Sequence, residues 1–154
     1  MTNNDILRRI RYVFDFGDDK MISVFALADT VVTRAEVSDW LKKEEDDAHV
    51  NCSDKMLASF LNGLIIDKRG KRDGPQPVAE SRINNNLVMV KLKIALAYSG
   101  DDMLAVLGLT GYQMSKHEMS ALFRKPGHKH HRACMDQVLR NFLKGLQIKY
   151  RPSE

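Results

Sequence analysis

One sentence of this chain is written twice, and that repetition constrains the fold more than any other feature. HVNCSDKMLASFLNGL at residues 49–64 returns as HRACMDQVLRNFLKGL at residues 131–146. Sliding the chain by 82 positions aligns residues 3–70 with residues 85–152 without a gap, giving 19 identities in 68 positions. Most mismatches at apolar positions stay apolar, as in Ile10/Leu92, Phe14/Leu96 and Trp40/Leu122. A period this long exceeds that of solenoid repeats, so the chain reads as a doubled subdomain rather than an array.

Three segments follow: an acidic repeat over residues 1–70, a linker over 71–84 rich in Gly, Pro and polar residues, and a basic repeat over 85–152. Each repeat alone has too little interior for comfortable stability. The two are therefore expected to pack on each other about a pseudo-twofold axis, with the linker crossing the outside.

Within each repeat the apolar period is helical. Ile6, Leu7, Ile10, Val13 and Phe14 form one helix face, and Val88, Met89, Leu92, Ala95 and Leu96 repeat it. Asn4 and Asn86 stand where N-caps are expected. A second helix is predicted near Asp18–Asp19 and Asp101–Asp102, and a third from the capping boxes TRAE (33–36) and SKHE (115–118). The fourth carries Met56, Leu57, Phe60, Leu61 and Leu64, mirrored by Val138, Leu139, Phe142, Leu143 and Leu146. The fold class is all-α: two tandem four-helix repeats in one globular unit. Gly63 and Gly145 interrupt the fourth helix at the same place, which predicts close approach by a neighbour, with the interface between repeats as the expected location.

No apolar run approaches the ~18 residues of a membrane span, and the N-terminus lacks a signal-peptide layout. A cytoplasmic protein with reduced thiols at Cys52 and Cys134 is expected. Charge divides unevenly: residues 1–70 hold 10 Lys and Arg against 13 Asp and Glu, whereas residues 85–154 hold 11 against 5. Such asymmetry suits attraction between copies of the chain, or a nucleic-acid-binding side.

The candidate metal ligands are His49, Cys52, His131 and Cys134, whose His-x-x-Cys spacing suits zinc, with His128 and His130 nearby. Each pair needs two further ligands, and an unpaired Cys is usually a small buried apolar residue. No metal and no cofactor is expected. Asp19, Glu36, Asp54 and their counterparts sit at helix starts, where capping and dipole effects account for them. The acidic run at 44–47 is not repeated. No phosphate loop, dinucleotide fingerprint or nucleophile elbow is present, so no catalytic residue is assigned.

The second and third helices have the layout of a helix-turn-helix. In the basic repeat the third helix is expected to expose Lys116, His117, Ser120 and Arg124. With Lys125, Lys129 and Arg132, Lys116 and Arg124 form the candidate set for phosphate contacts.

NNDILRRIRY, LKKEEDD, FLNGLIIDKRGK, RINNNLVMVKLKIAL and FLKGL together closely resemble the YehS-like family of bacterial proteins, an uncharacterised family carrying a duplicated domain of unknown function. The resemblance spans essentially the whole chain. It implies a bacterial, cytoplasmic protein and supplies no catalytic or binding residues. It also implies that the Cys is kept more firmly than the adjacent His, which weakens the metal reading. The expectation is a non-enzymatic helical interaction module that self-associates or binds a protein partner. The alternative is a nucleic-acid-associated regulator using the basic repeat.

Overall fold

Thr2 starts the fold. Its hydroxyl accepts from Asp5 N while the Asp5 carboxylate accepts from Thr2 N, a reciprocal cap that opens α1 (Asn3–Phe14). α2 (Asp18–Leu27), α3 (Arg34–Leu41) and α4 (Asp54–Arg69) complete the first repeat. α5 (Asn85–Leu96), α6 (Gly100–Gly108), α7 (Lys116–Leu122) and α8 (Asp136–Tyr150) repeat the order in the second. This computed structural model describes residues 1–151 of the chain, so Pro152, the last position of the second repeat, lies outside the described residues. No strand occurs among the described residues, and no helix there is long and apolar enough to cross a membrane.

The predicted capping boxes at Thr33/Glu36 and Ser115/Glu118 are both formed. The expected N-caps Asn4 and Asn86 are not caps. Helices α1 and α5 start two residues earlier than that reading requires, capped by Thr2 and by Asn84, whose Oδ1 accepts from Leu87 N. Asn4 and Asn86 lie inside the first turn and are buried.

Packing follows the pseudo-twofold. α4 lies on α2 as α8 lies on α6, and each short third helix rests on its second. Between repeats, α4 packs on α5 and α1 on α8, contacts that exchange when the repeats are exchanged. One apolar core runs through both repeats, from Leu7, Ile10 and Phe60 to Leu92, Phe142 and Leu146. In the first repeat Phe25 packs against Trp40 and Phe60 at 5.6 and 5.3 Å between ring centres. In the second, Leu107 and Leu122 replace Phe25 and Trp40 at buried positions.

The repeated glycines mark the tightest contact, and it lies within each repeat rather than between them. A Cβ on Gly63 would sit 1.9 Å from Val24 O of α2, and one on Gly145 would sit 2.2 Å from Val106 O of α6. A backbone carbonyl inside a helix cannot swing aside. Gly63→Ala and Gly145→Ala are therefore expected to destabilise by about 2 kcal/mol or more each, because overpacking outweighs the ~1 kcal/mol gained in helix propensity. Urea unfolding checks this; unchanged midpoints would show that the helices can separate without cost.

Candidate functional site

The repeated polar residues converge on backbone groups, and Asp54, Asn86 and His131 also line a groove beside α5. Asn4 Nδ2 donates to Trp40 O and Val50 O, both at 2.8 Å, while its Oδ1 accepts from Cys52 N at 3.0 Å. Asn86 repeats the pattern on Leu122 O (3.1 Å), Arg132 O (2.8 Å) and Cys134 N (2.8 Å). One carboxamide thus satisfies three backbone groups at the two ends of the long loop joining the third helix to the fourth. Asn3 Nδ2 donates to Cys52 O and to Asp54 Oδ1, and Asn85 does the same to Cys134 O and Asp136 Oδ1.

The two aspartates carry this network across to the other repeat. Asp54 Oδ2 accepts from Ile83 N at 3.1 Å, where the chain enters the second repeat. Asp136 Oδ2 accepts at 2.8 Å from the amino group of Met1, where the chain enters the first. Positions 1 and 83 are equivalent under the 82-residue shift, so the tie is made twice with its direction exchanged. The Asn3 amide, then the Ile83 N–H, hold the Asp54 carboxyl below its usual range; the Met1 ammonium, then Asn85, do so for Asp136.

The candidate metal ligands do not form a site of this kind. Cys52 and Cys134 are buried, and burial pushes their thiols up to about 12 and about 11, with Asp54 and Asp136 adding to the effect. Both stay protonated near neutral pH, the reverse of what a nucleophile or thiolate ligand needs. His49 and His131 precede the fourth helices in segments without helical structure, so the three-residue spacing does not stack them over the cysteines. His131 Nδ1 lies 2.9 Å from Arg124 O. On the surface the His130 ring lies 5.5 Å from that of His128 and 6.2 Å from that of His117, centre to centre. His128 Nδ1 already accepts from His130 N. Among the described residues, no three or more side chains of His, Cys, Asp and Glu are arranged to hold a metal.

Features that are not duplicated distinguish the two repeats at equivalent places. In the first, the loop after α3 carries Glu44, Glu45, Asp46 and Asp47, all exposed. In the second, the loop after α7 carries Arg124, Lys125, Lys129 and Arg132, also exposed, as are Lys116, His117 and Ser120 on α7. Lys116 lies 3.3 Å from Asp101 on the surface. The helix beneath changes too. In α1, Asp5 pairs with Arg8, whose guanidinium donates to Lys42 O and covers the loop's base. Leu87 and Val90 stand at those positions in α5, beside an open groove of about 480 Å³ that Arg82, Arg124 and His131 also line.

Sequence reasoning missed two polar positions. The loop-holding role of Asn4 and Asn86 was signalled only by the identity of the doublet in both copies. The second is Lys91, a basic residue on the apolar face of VMVKLKIAL, which is 7% exposed.

The chain belongs to the family described as a protein of unknown function (DUF1456), whose model matches residues 3–70 and again residues 85–151. It is 43% identical over 150 residues to a curated relative, "Uncharacterized protein YehS" of Escherichia coli (strain K12), covering 97% of this chain and 96% of that one. No solved structure matches. Neither the family's description nor the relative's name assigns an activity.

Removing either loop-holding carboxamide is expected to be costly. Asn4→Ala and Asn86→Ala each leave three backbone groups unpaired in or beside the core, at roughly 1–3 kcal/mol for a buried unsatisfied group. Both midpoints in chemical denaturation should fall by more than that of Asn3→Ala, whose amide is only partly buried. Equal shifts would show that water replaces the lost bonds.

Proposed function

We propose that this protein is a non-enzymatic helical interaction module that associates with copies of itself. The acidic loop of one copy, Glu44–Asp47, would dock on the basic loop and groove of the next, around Arg124–Arg132. The observation that carries this reading is the opposite charge of two exposed loops at symmetry-equivalent positions of one scaffold. Such a contact is heterologous: it uses two different patches, and so builds rings or open chains rather than a closed pair by necessity. Its attraction is between exposed charges, so salt weakens it. The absence of catalysis from the proposal is supported by the work the repeated polar residues already do. Asn3, Asn4, Asp54 and their counterparts are spent on backbone groups and on the tie between repeats.

Light scattering at about 50 mM and about 500 mM salt tests this, since screening lengths fall severalfold across that range. Larger species are expected at low salt only. Reversing Glu44, Glu45, Asp46 and Asp47 to Lys should give a monomer. So should reversing Lys125, Lys129 and Arg132 to Glu, and mixing the two variants should restore assembly. A salt-independent monomer would overturn the proposal.

A second reading is favoured by the exposure of Lys116, Arg124, Lys125, Lys129 and Arg132 on one short helix and the loop after it. In it, the basic repeat binds nucleic-acid phosphates. Gel shifts on duplex DNA and on RNA should then weaken steeply with salt, and with Lys125, Lys129 and Arg132 changed to Ala. No binding at low salt would end it.

A further inference from the structure

Between α4 and α5 the linker folds back over the scaffold and roofs a cavity. Gly70 ends α4 with φ +83° and Gly74 turns the chain again at φ +83°, a conformation that favours glycine. These turns bring residues 71–80 back across the seam between α4 and α5, over a cavity of about 530 Å³. Ile65 and Ile66 of α4 and Leu87, Val90 and Ile94 of α5 supply its apolar wall.

Two polar side chains, each more than nine-tenths buried, line that cavity. Asn62 is 5% exposed and Lys91 7%. Lys91 Nζ donates to Asn62 Oδ1 at 2.5 Å, which leaves the Asn62 amide nitrogen without a hydrogen-bond partner. A buried N–H₂ group with no acceptor costs free energy and is uncommon in a native interior. The linker's Glu80 offers its carboxylate to Lys91 at 3.0 Å, as an ion pair without the alignment of a hydrogen bond. Arg69, Lys71 and Arg72 add three cations at the cavity's edge.

The equivalent place in the other half lacks these parts. Position 62 corresponds to Lys144, which is exposed, and position 91 to Arg9, which is half-buried. Among the described residues, no linker segment covers them. Among the described residues, Asn62, Lys91 and the roof thus form a set at this seam without a counterpart at the other.

We propose that the linker-roofed cavity is a binding site for a small amphiphilic carboxylate: an apolar body along Ile65, Leu87 and Val90, and a carboxylate received by Lys91 and the free Asn62 amide. The inner end presents donors, the walls are apolar and the rim is cationic, a combination that selects an anion with a hydrocarbon body. Glu80 holds the carboxylate's place in the empty protein. Binding displaces it from Lys91 and supplies the Asn62 amide with an acceptor that Glu80 does not provide. The inference does not depend on self-association.

Calorimetric titration of the full chain with octanoate, and with octanol as the uncharged probe of the same length, tests the proposal. One octanoate per chain is expected, with octanol at least tenfold weaker. Lys91→Met, which keeps the apolar volume, should weaken octanoate at least tenfold and leave octanol unchanged. Glu80→Gln removes the competing carboxylate from a half-exposed linker position, and should tighten octanoate severalfold. That opposite sign separates loss of a site from loss of the fold. Failure of octanoate to bind the unaltered protein at millimolar concentration would overturn the proposal. So would equal affinity for octanol, or weakening of octanoate by Glu80→Gln.

Discussion

Everything else in this fold leans on a side chain of one shape. The connection from α3 to α4 spans residues 42–53, and its counterpart spans 123–135, with no regular structure in either. Backbone groups in a loop that touches the core must still be paired. Asn4 and Asn86 pair three each, which takes two donors and an acceptor on one short side chain. Asp lacks the donors, Ser has too few, and Gln reaches too far. The adjacent Asn3 and Asn85 then set the aspartates that open the fourth helices, and those aspartates bind the start of the opposite repeat. Loop, helix start and inter-repeat seam form one hydrogen-bonded series, made twice.

Apolar packing completes what that series aligns. With Asp54 and Asp136 in place, α4 and α8 run directly against the backbones of α2 and α6, close enough that only glycine fits at positions 63 and 145. The same fourth helices reach outward to α5 and α1. Each therefore serves both its own repeat and the seam, which explains why repeats of this size share one core instead of building two.

What the amino-acid order disclosed was whatever depends on neighbours in sequence. Helical periods and the capping boxes at Thr33 and Ser115 involve residues three or four apart, and they stand where that spacing puts them. Asn4 was misleading because an Asn ahead of an apolar run is the ordinary sign of a cap, whereas its partners lie 36 to 48 residues away. The position that does cap changes from Thr2 to Asn84 between copies and still works. A cap tolerates such exchange; a residue with three fixed partners does not. Gly63 announced a close approach without naming the neighbour, since that requires knowing which helix packs on α4. Lys91 was harder still. Its burial depends on a linker folding back over α5, which no local pattern encodes.

Duplication also bears on where function can reside. Selection on two copies of a ligating group would keep both, and Asn3, Asn4, Glu36, Asp54, Gly63 and their counterparts, kept in both copies, are committed to loops, caps and helix contacts. The departures from symmetry concentrate around α5: Leu87 and Val90 in place of an ion pair, a basic loop in place of an acidic one, and Lys91 beneath the linker. The first of these removes a polar contact that the first repeat makes for its own stability. Asp5 and Arg8 seal the base of their loop, while Leu87 and Val90 leave theirs open and expose apolar surface to water. A scaffold that already holds the sealed version has no folding reason to adopt the open one. The second repeat gives up local closure at the groove beside Leu87 and Val90, where the first repeat is sealed by Asp5 and Arg8.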